Sequence, residues 1–387
     1  MIRALRIIIV FIIGFHTVAQ AQNCAERPAH IGLVYPISSN GKEAGNITNH
    51  FSLHVIAGLS ASEKGFAGAG IANIIRDKAT GVQVAGFANH IMNASQGVTI
   101  AGFMNTVKNN ASGAEIAGFL NYAGSAEGLQ AAGFVNVTKQ DMYGMQTAGF
   151  ANITKNTDAQ VAGFINVARE VQGIQAAGFM NTAKDADVQV AGFINTARNI
   201  SGIQIAGFIN VARSVKGMQV SGFMNIADSC DYPIGLVNIM KKGEKAIGIS
   251  IDETQTALVS FRSGGRVLYG IVGAGYNFKT DKSYYAQEAG IGAHLFTWRH
   301  FRLNAEATSL VLTTFEEGVY LRSGVRIMPA LTIGKRFEIF AGASFNEIHT
   351  THRTHNEILD NYIWSEQDNG QFNALYIGGM AGVQVKI

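Results

Sequence analysis

A short phrase that repeats ten times between residues 82 and 227 constrains the fold more than any other feature of this chain. Each copy contains Gly followed by Phe, and an Asn comes two residues after the Phe. The clearest copy, residues 173 to 184, is Gly-Ile-Gln-Ala-Ala-Gly-Phe-Met-Asn-Thr-Ala-Lys. Successive Gly-Phe pairs are 14 to 16 residues apart. A period this short predicts one structural unit that is used many times.

Apolar and polar side chains alternate within each copy. In the clearest copy, Gln175, Phe179 and Asn181 share one face, and Ile174 and Met180 fall on the other. A period of two over about ten residues predicts a β-strand. The polar residues between copies are suited to turns.

Two all-β architectures can be built from such strands. A parallel β-solenoid stacks like residues on like, and stacked Asn and aromatic side chains stabilise such ladders. An antiparallel meander instead sends alternate turns to opposite ends. Basic residues three positions after the Asn favour the meander, because like charges stacked one strand apart repel by about 1 kcal/mol per pair even in water. These residues are Lys108, Lys139, Lys155, Arg169, Lys184, Arg198 and Arg213.

The chain after residue 238 lacks the repeat but keeps the alternation. Phe301 and Leu303 alternate with Arg302 and Asn304, and the last strand alternates in the same way up to Ile387. Short turns at 262–265, 298–300 and 334–336 alternate with longer connections, of which 349–372 is the longest. Apolar-polar alternation in segments of about ten residues, with loops and tight turns in alternation, is typical of transmembrane barrels.

We therefore expect an all-β, antiparallel up-and-down transmembrane β-barrel of about 20–22 strands, built largely from the repeats. The strand count comes to about 21, and an even number requires either two strands within 246–261 or none at 31–36. The alternative is a parallel β-solenoid for the repeats joined to a small C-terminal β-barrel.

The N-terminus predicts export. Arg3 and Arg6 precede an apolar run over 7–15, and Ala19-Gln20-Ala21 fits a cleavage site. The predicted organisation is a signal peptide at 1–21, N-terminal strands at 22–66, the repeat region at 67–240 and a C-terminal section at 241–387 that completes the barrel. Cys24 and Cys230 are the only cysteines, and in an exported protein they are able to form one disulfide.

Composition excludes some classes of function. Without the signal peptide, 28 Lys and Arg residues face 27 acidic ones, a net charge of +1. Such a balanced charge does not predict a nucleic-acid-binding protein, which usually carries an excess of Lys and Arg. Charged residues make up 15% of the chain, whereas about 25% is usual in soluble domains.

The repeated Gly-x-Gln-x-Ala-Gly-Phe-x-Asn resembles the Gly-x-Gln-x-Gly-Leu/Phe-x-Asn repeats of a bacterial surface-repeat family from Gram-negative organisms. The similarity covers about residues 31 to 240, from Val34-Tyr35-Pro36 to the closing copy Ile234-Gly235-Leu236-Val237-Asn238. It implies an outer-membrane or cell-surface location and carries no biochemical activity. The section after about residue 245 departs from the shorter members of that family.

No catalytic motif or nucleotide-binding loop occurs in the sequence, so we expect neither an enzyme nor a cofactor. His349, His352 and His355 are candidate metal ligands, and a solvated polar loop explains the same spacing. The expected partners are outer-membrane lipid, periplasmic chaperones and the barrel-assembly machinery, and the sequence does not identify a solute.

We expect a non-catalytic surface protein, with porin-like passage of small solutes as its function. Its alternative function is a structural or adhesive surface-repeat module. In the porin interpretation the Gln, Phe and Asn of each copy face the lumen. These candidate positions are Gln160, Phe164, Asn166, Gln175, Phe179, Asn181, Gln189, Phe193, Asn195, Gln204, Phe208 and Asn210.

Overall fold

The computed structural model describes residues 25–279, 284–315, 320–351, 358–359, 361–368 and 371–387. The predicted signal peptide and Cys24 lie outside these residues. The described chain is all-β apart from short helical turns, and its strands form two separate sheets. The first sheet ends at Met240 and the second begins at Glu244.

The N-terminal segment caps the first sheet. It comprises β1 (Ala25–Val34), β2 (Ile37–Ser38), a 3-10 helix (Gly41–Asn46) and β3 (Ile47–Ser60). Strand β1 pairs in parallel with β3 and antiparallel with β2. Inside this cap, Asn40 donates from Nδ2 to Asn49 Oδ1 at 2.9 Å, which pairs these two buried amides.

The repeats form one continuous stack of strands. Most turns of the stack consist of a longer strand followed by a shorter one. Their bounds are β4 (Ser62–Ala69), β5 (Ala72–Ile75), β6 (Lys78–Ala85), β7 (Ala88–Ile91), β8 (Ala94–Ala101), β9 (Met104–Ala117), β10 (Leu120–Ala132), β11 (Val135–Thr138), β12 (Asp141–Ala148), β13 (Ala151–Ile153), β14 (Asn156–Ala162), β15 (Ile165–Val167), β16 (Glu170–Ala177), β17 (Met180–Thr182), β18 (Asp185–Ala191), β19 (Ile194–Thr196), β20 (Asn199–Ala206), β21 (Ile209–Val211), β22 (Ser214–Ser221), β23 (Met224–Ala227), β24 (Ser229–Ile234) and β25 (Val237–Met240).

Every repeat strand pairs in parallel with its equivalent in the next copy. Strand β16 pairs with β18 so that Gln175 lies opposite Gln189, and β17 pairs with β19 so that Asn181 lies opposite Asn195. One copy of the phrase is therefore one turn of a coil, and about 13 turns are stacked. The fold of the repeats is a parallel β-solenoid, which is the alternative that the sequence left open.

The prediction of one antiparallel barrel of about 20–22 strands is therefore wrong for the repeats. The strand expected to cross from Gln175 to Asn181 is instead two strands, β16 and β17, separated by a bend at Gly178 and Phe179. Close stacking depends on glycine at this bend, because a Cβ on Gly178 would lie 2.2 Å from the carbonyl oxygen of Gly163 in the preceding turn.

The basic residues do stack, contrary to the argument for the meander. Lys184 donates its backbone N–H to the carbonyl of Arg169 at 2.9 Å, and Arg198 donates to Lys184 at 2.8 Å. The charged groups extend into water at a corner, where flexible side chains can diverge. Lys184 also lies 3.5 Å from Asp185, and Arg213 lies 3.6 Å from Asp228. The remaining repulsion is smaller than the gain from hydrogen-bonded and aromatic columns in every turn.

The C-terminal section forms the second sheet, which is antiparallel. Its strands are β26 (Glu244–Asp252), β27 (Thr256–Gly264), β28 (Leu268–Asn277), β29 (Tyr284–Trp298), β30 (Phe301–Thr313), β31 (Tyr320–Ile333), β32 (Phe337–Thr350), β33 (Trp364–Asp368) and β34 (Gln371–Lys386). Each strand from β26 to β32 pairs with the next, β32 pairs with β34, and β34 pairs back with β26. These eight strands close into a barrel, and β33 adds to one end of β34.

Several features of this section were predicted correctly. The alternation in β30 is confirmed, since Arg302 and Asn304 are buried inside the barrel while Phe301 and Leu303 face outward. The predicted short turns at 298–300 and 334–336 connect β29 to β30 and β31 to β32. The segment 246–261 does contain two strands, and they belong to this eight-stranded barrel rather than to a larger one.

Candidate functional site

The interior of the solenoid contains an unbroken column of asparagines. Twelve Asn side chains, from Asn73 to Asn238, are each buried, and each of the first eleven donates from Nδ2 to Oδ1 of the next at 2.8–3.0 Å. Most of them also donate to backbone carbonyls. Asn181, for example, reaches Gln175 O at 3.1 Å and Val190 O at 2.7 Å. These backbone acceptors fix which way each amide points.

A second column of amides runs beside the first with the opposite polarity. From Gln146 to Gln219, each Gln donates from Nε2 back to Oε1 of the preceding turn at 2.7–2.9 Å. The column begins at Glu115, whose Oε2 accepts from Gln130 at 2.6 Å. Burial raises the pKa of the Glu115 carboxyl to about 7. The same effect raises the pKa of Glu63 to about 7, against hydrogen bonds from Ser52, Ser60 and Asn49.

The phenylalanines lie on the outside of the coil. The ten rings from Phe87 to Phe223 stack with centroids 4.8–5.2 Å apart and interplanar angles of 2–13°. Phe179 is 39% exposed, whereas Gln175 and Asn181 are fully buried. The twelve candidate lumen positions are thus divided. The Gln and Asn residues are packed inside the coil, and Phe164, Phe179, Phe193 and Phe208 form part of an exposed aromatic column that we call the Phe ridge.

The barrel interior holds a network of buried ion pairs. Arg326 contacts Glu288 through Nη1 at 2.7 Å and Glu306 through Nε at 2.5 Å. Glu306 also accepts from Arg262 Nε at 3.1 Å and from the Tyr269 hydroxyl at 2.7 Å. A buried charge is tolerated only when it is paired and hydrogen-bonded, and this network meets that requirement for both carboxylates.

The barrel has no open lumen among the described residues. Besides the ion pairs, an apolar cluster that includes Tyr284, Leu312 and Ile348 fills the interior toward the long connections. The two voids lined by ion-paired residues measure about 10 and 20 Å³, which is room for about one water molecule each. An eight-stranded barrel is just wide enough for side chains to fill it.

The outer wall of the barrel has exposed apolar side chains on seven of its eight strands. Fifteen large apolar side chains on this wall are 37–68% exposed: Ile247, Ile249, Ile251, Val259, Val272, Ile291, Val325, Ile327, Leu331, Ile333, Phe337, Ile339, Phe345, Ile377 and Val383. Exposed aromatic residues mark both ends of the wall. Phe278, Tyr285 and Phe315 lie at the end with the long connections, and Trp298 and Phe337 lie at the end with the short turns.

The last turn of the solenoid packs directly on the barrel. Asn238 donates its backbone N–H to Ser263 Oγ at 3.0 Å, so the end of the Asn column is bonded to β27. A Cβ on Gly270 in β28 would lie 2.2 Å from the carbonyl oxygen of Gly235, which requires glycine at this contact. Leu236 occupies the position that follows Phe223 in the Phe ridge, and it lines a shallow groove of about 510 Å³ together with barrel residues.

The candidate metal ligands are only partly described. His349 lies on the outer side of β32, where its Nδ1 is 2.6 Å from Asn373 Oδ1, while His352 and His355 lie outside the described residues. No group of three or more potential metal ligands occurs in the described part of the chain. Cys230 is buried and has no disulfide partner among the described residues, and Cys24, with which a disulfide was predicted, lies outside them. None of the described helices has the length and apolar character to span a membrane.

Fold and geometry together define the class of this protein as a parallel β-solenoid whose last turn packs against a closed eight-stranded antiparallel barrel. No protein-family model, curated protein or solved structure matches the chain. The resemblance to the bacterial surface-repeat family therefore stays a prediction from the repeat sequence.

Proposed function

We propose that this chain is a non-catalytic structural module of the outer membrane, in which the eight-stranded barrel spans the bilayer and anchors the solenoid. One observation carries the proposal: the barrel has its apolar side chains on the outside and its ion pairs on the inside. Water-soluble proteins place these groups the other way round. A closed sheet satisfies every backbone hydrogen bond internally, as a bilayer requires.

Strand length and aromatic residues support the same proposal. The strands from β29 to β32 have 13–15 residues, and the shorter β26 to β28 have 9–10. A tilted strand of about 9–11 residues suffices to cross a bilayer. Exposed aromatic rings at the two ends of the wall resemble the girdles at membrane interfaces. The filled interior favours an anchor over a porin.

The topology also supports a proposal for the side of the membrane on which the solenoid lies. The solenoid enters the barrel at Glu244, at the same end as the short turns and the final residue, Ile387. In outer-membrane barrels the short turns face the periplasm. We therefore place the solenoid on the periplasmic side, where it acts as a structural element instead of a cell-surface adhesin.

The proposal is tested by folding the mature chain in the presence of liposomes. We expect it to float with the lipid and to stay there after extraction with alkaline carbonate. An Ile249→Lys variant is expected to lose insertion efficiency, because a Lys on the lipid face costs about 2–4 kcal/mol near the bilayer centre. The matched control is Lys245→Arg, which keeps the charge at the end of the same strand. Wild-type protein that remains in the aqueous fraction as a folded monomer would contradict the proposal.

Single-channel recording separates the anchor from the porin. With the interior filled as described, we expect no stepwise conductance from inserted wild-type protein. Regular conductance steps would support the solute-passage function instead.

A further inference from the structure

The solenoid has a second apolar surface that the anchor function does not use. Its cross-section has two sides that meet at the Phe ridge. The last four residues of the longer strands form one side, with outward residues such as Ile174 and Ala176, and the shorter strands form the other, with Met180 and Thr182. We call this surface, the ridge with its two sides, the apolar wedge.

No charged residue occurs on the wedge over ten consecutive turns. The side of the longer strands carries Val82, Val84, Val98, Ile100, Ala114, Ile116, Leu129, Ala131, Met145, Thr147, Ala159, Val161, Ile174, Ala176, Val188, Val190, Ile203, Ile205, Met218 and Val220. The side of the shorter strands carries Ala88, His90, Met104, Thr106, Leu120, Tyr122, Val135, Val137, Ala151, Ile153, Ile165, Val167, Met180, Thr182, Ile194, Thr196, Ile209, Val211, Met224 and Ile226.

Charged groups are confined to the opposite side of the coil. Lys184, Asp185 and Asp187 occur there in one turn, and Glu170 and Lys216 occupy the same side in neighbouring turns. Nine steps of 4.8–5.2 Å make the Phe ridge roughly 45 Å long. An exposed apolar surface of this length marks an interaction site, since monomeric soluble proteins rarely expose more than a few hundred Å² in one patch.

The wedge is continuous with the outer wall of the barrel. Leu236 continues the Phe ridge after Phe223 and lines the shallow groove with Ile291, Val325 and Phe345, which are all exposed residues of that wall. A single apolar surface thus runs from the barrel onto the solenoid. A lipid or protein surface that covers the barrel wall at this groove therefore also contacts the end of the Phe ridge at Leu236.

We propose that the apolar wedge inserts into the periplasmic leaflet of the same bilayer that the barrel spans, so that the solenoid lies along the membrane with its charged side toward water. This inference rests on the proposed function of the barrel. The occupant is lipid, because the wedge continues a wall proposed to face lipid and presents an apolar surface opposite a charged one, as interfacial membrane proteins do.

The test uses the mature full-length chain with Cys24→Ser and Cys230→Ala, reconstituted in phosphatidylcholine vesicles. A single cysteine labelled with the dye NBD is placed on the ridge (Phe179→Cys), on the charged side of the adjacent strand (Gln172→Cys) or on the barrel wall (Ile249→Cys). Phosphatidylcholine with a nitroxide on its acyl chain then serves as the quencher.

We expect most of the emission at positions 179 and 249 to be lost, and the emission at position 172 to stay as in unquenched vesicles. Quenching at 249 without quenching at 179 overturns the wedge inference and leaves the membrane anchor intact. If position 179 is also shielded from aqueous dithionite in that case, a protein surface such as a second copy covers the ridge. Absence of quenching at both 179 and 249 overturns the proposed function together with the inference.

Discussion

Individual buried amides determine how closely the turns of the solenoid can stack. Asn181 accepts one hydrogen bond from Asn166, and its two side-chain N–H groups are shared among three acceptors, on Asn195, Gln175 and Val190. The residue is fully buried, so water cannot replace any of these bonds. The amide columns thus form the interior of this coil together with buried aliphatic residues such as Val171 and Ile200.

The variant Asn181→Ala tests the importance of one amide. It leaves buried acceptors without donors, and each such group costs about 1–3 kcal/mol. We expect a total loss of about 2–4 kcal/mol in the free energy of unfolding, seen as a lower melting temperature by circular dichroism in detergent. Thr182→Ala, at the neighbouring outward position, is the control and should change the melting temperature little. Equal effects from the two variants would contradict the role of the Asn column.

A second prediction concerns the carboxyl group in the Gln column. Burial raises the pKa of Glu115 from 4.5 to about 7 in the folded chain. Its contribution to stability is therefore full below pH 4.5 and is lost as the pH rises through 7, because the folded state holds the proton more tightly than the unfolded state. Replacement by Gln keeps the shape and removes the titration.

We expect Glu115→Gln to raise the free energy of unfolding at pH 8 by up to about 3 kcal/mol and to have a small effect at pH 4.5. Chemical denaturation at the two pH values measures the difference. Part of the pH dependence should persist in the variant, since the pKa of Glu63 is also raised to about 7 by burial. A variant that is destabilised at pH 8 and little changed at pH 4.5 would show that the carboxylate is needed in its charged form.

At the scale of elements, the repeat strands behave as interchangeable turns. Removal of residues 170–184 deletes one complete turn and brings Arg169 directly before Asp185, with the Asn, Gln and Phe columns still in register. We expect this deletion to fold with a melting temperature close to that of the full chain, since each turn contacts only its neighbours. Removal of residues 170–177 deletes β16 but leaves β17 of the same turn, and we expect this variant not to fold. Failure of the 15-residue deletion, judged by circular dichroism, would contradict the equivalence of the turns.

The repeat elements also show how much of the fold can be predicted from the sequence. The period and the strands could be predicted, but the face of Phe179 could not, because alternation across residues 174 to 182 assumes one uninterrupted strand. Gly178 and Phe179 form a bend at a corner of the coil, so Phe179 turns outward while Gln175 and Asn181, on the strands to either side, stay inside. Parallel pairing was not predicted, because the repulsion between the basic side chains was estimated for fixed positions of their charges. These side chains extend into water and can move apart.

The barrel elements were more accessible to prediction. In β30 and β34 the alternation continues without a bend, so outward and inward residues were assigned from the sequence alone. The ion pairs inside the barrel could not be predicted in the same way. Arg326, Glu288 and Glu306 come from three different strands, and only the register of the closed sheet brings them together.

At the scale of the whole molecule, both halves bury many polar side chains beside their apolar clusters and expose large apolar side chains. The solenoid buries Gln and Asn and exposes Phe, and the barrel buries Arg and Glu and exposes Ile and Val. Hydrogen bonds and ion pairs satisfy most of the buried polar atoms in these columns and networks, and the exceptions include Glu115 Oε1, Gln219 Oε1, Arg262 Nη1 and Arg326 Nη2. A bilayer around the barrel explains why its apolar residues are outside. Insertion of the apolar wedge into the same bilayer, as proposed above, explains the exposed apolar side chains of the solenoid.

The measurement that tests this account most directly is a nitroxide scan along β31, one label at a time from residue 321 to residue 333, on protein in lipid vesicles. We predict an accessibility to oxygen that is high at odd positions such as Val325 and Ile327 and low at even positions such as Arg326, where the label enters a filled interior. Accessibility to a water-soluble nickel complex should be low at both sets. High nickel accessibility at the odd positions would contradict a wall in lipid, and high nickel accessibility at the even positions would reveal a water-filled channel.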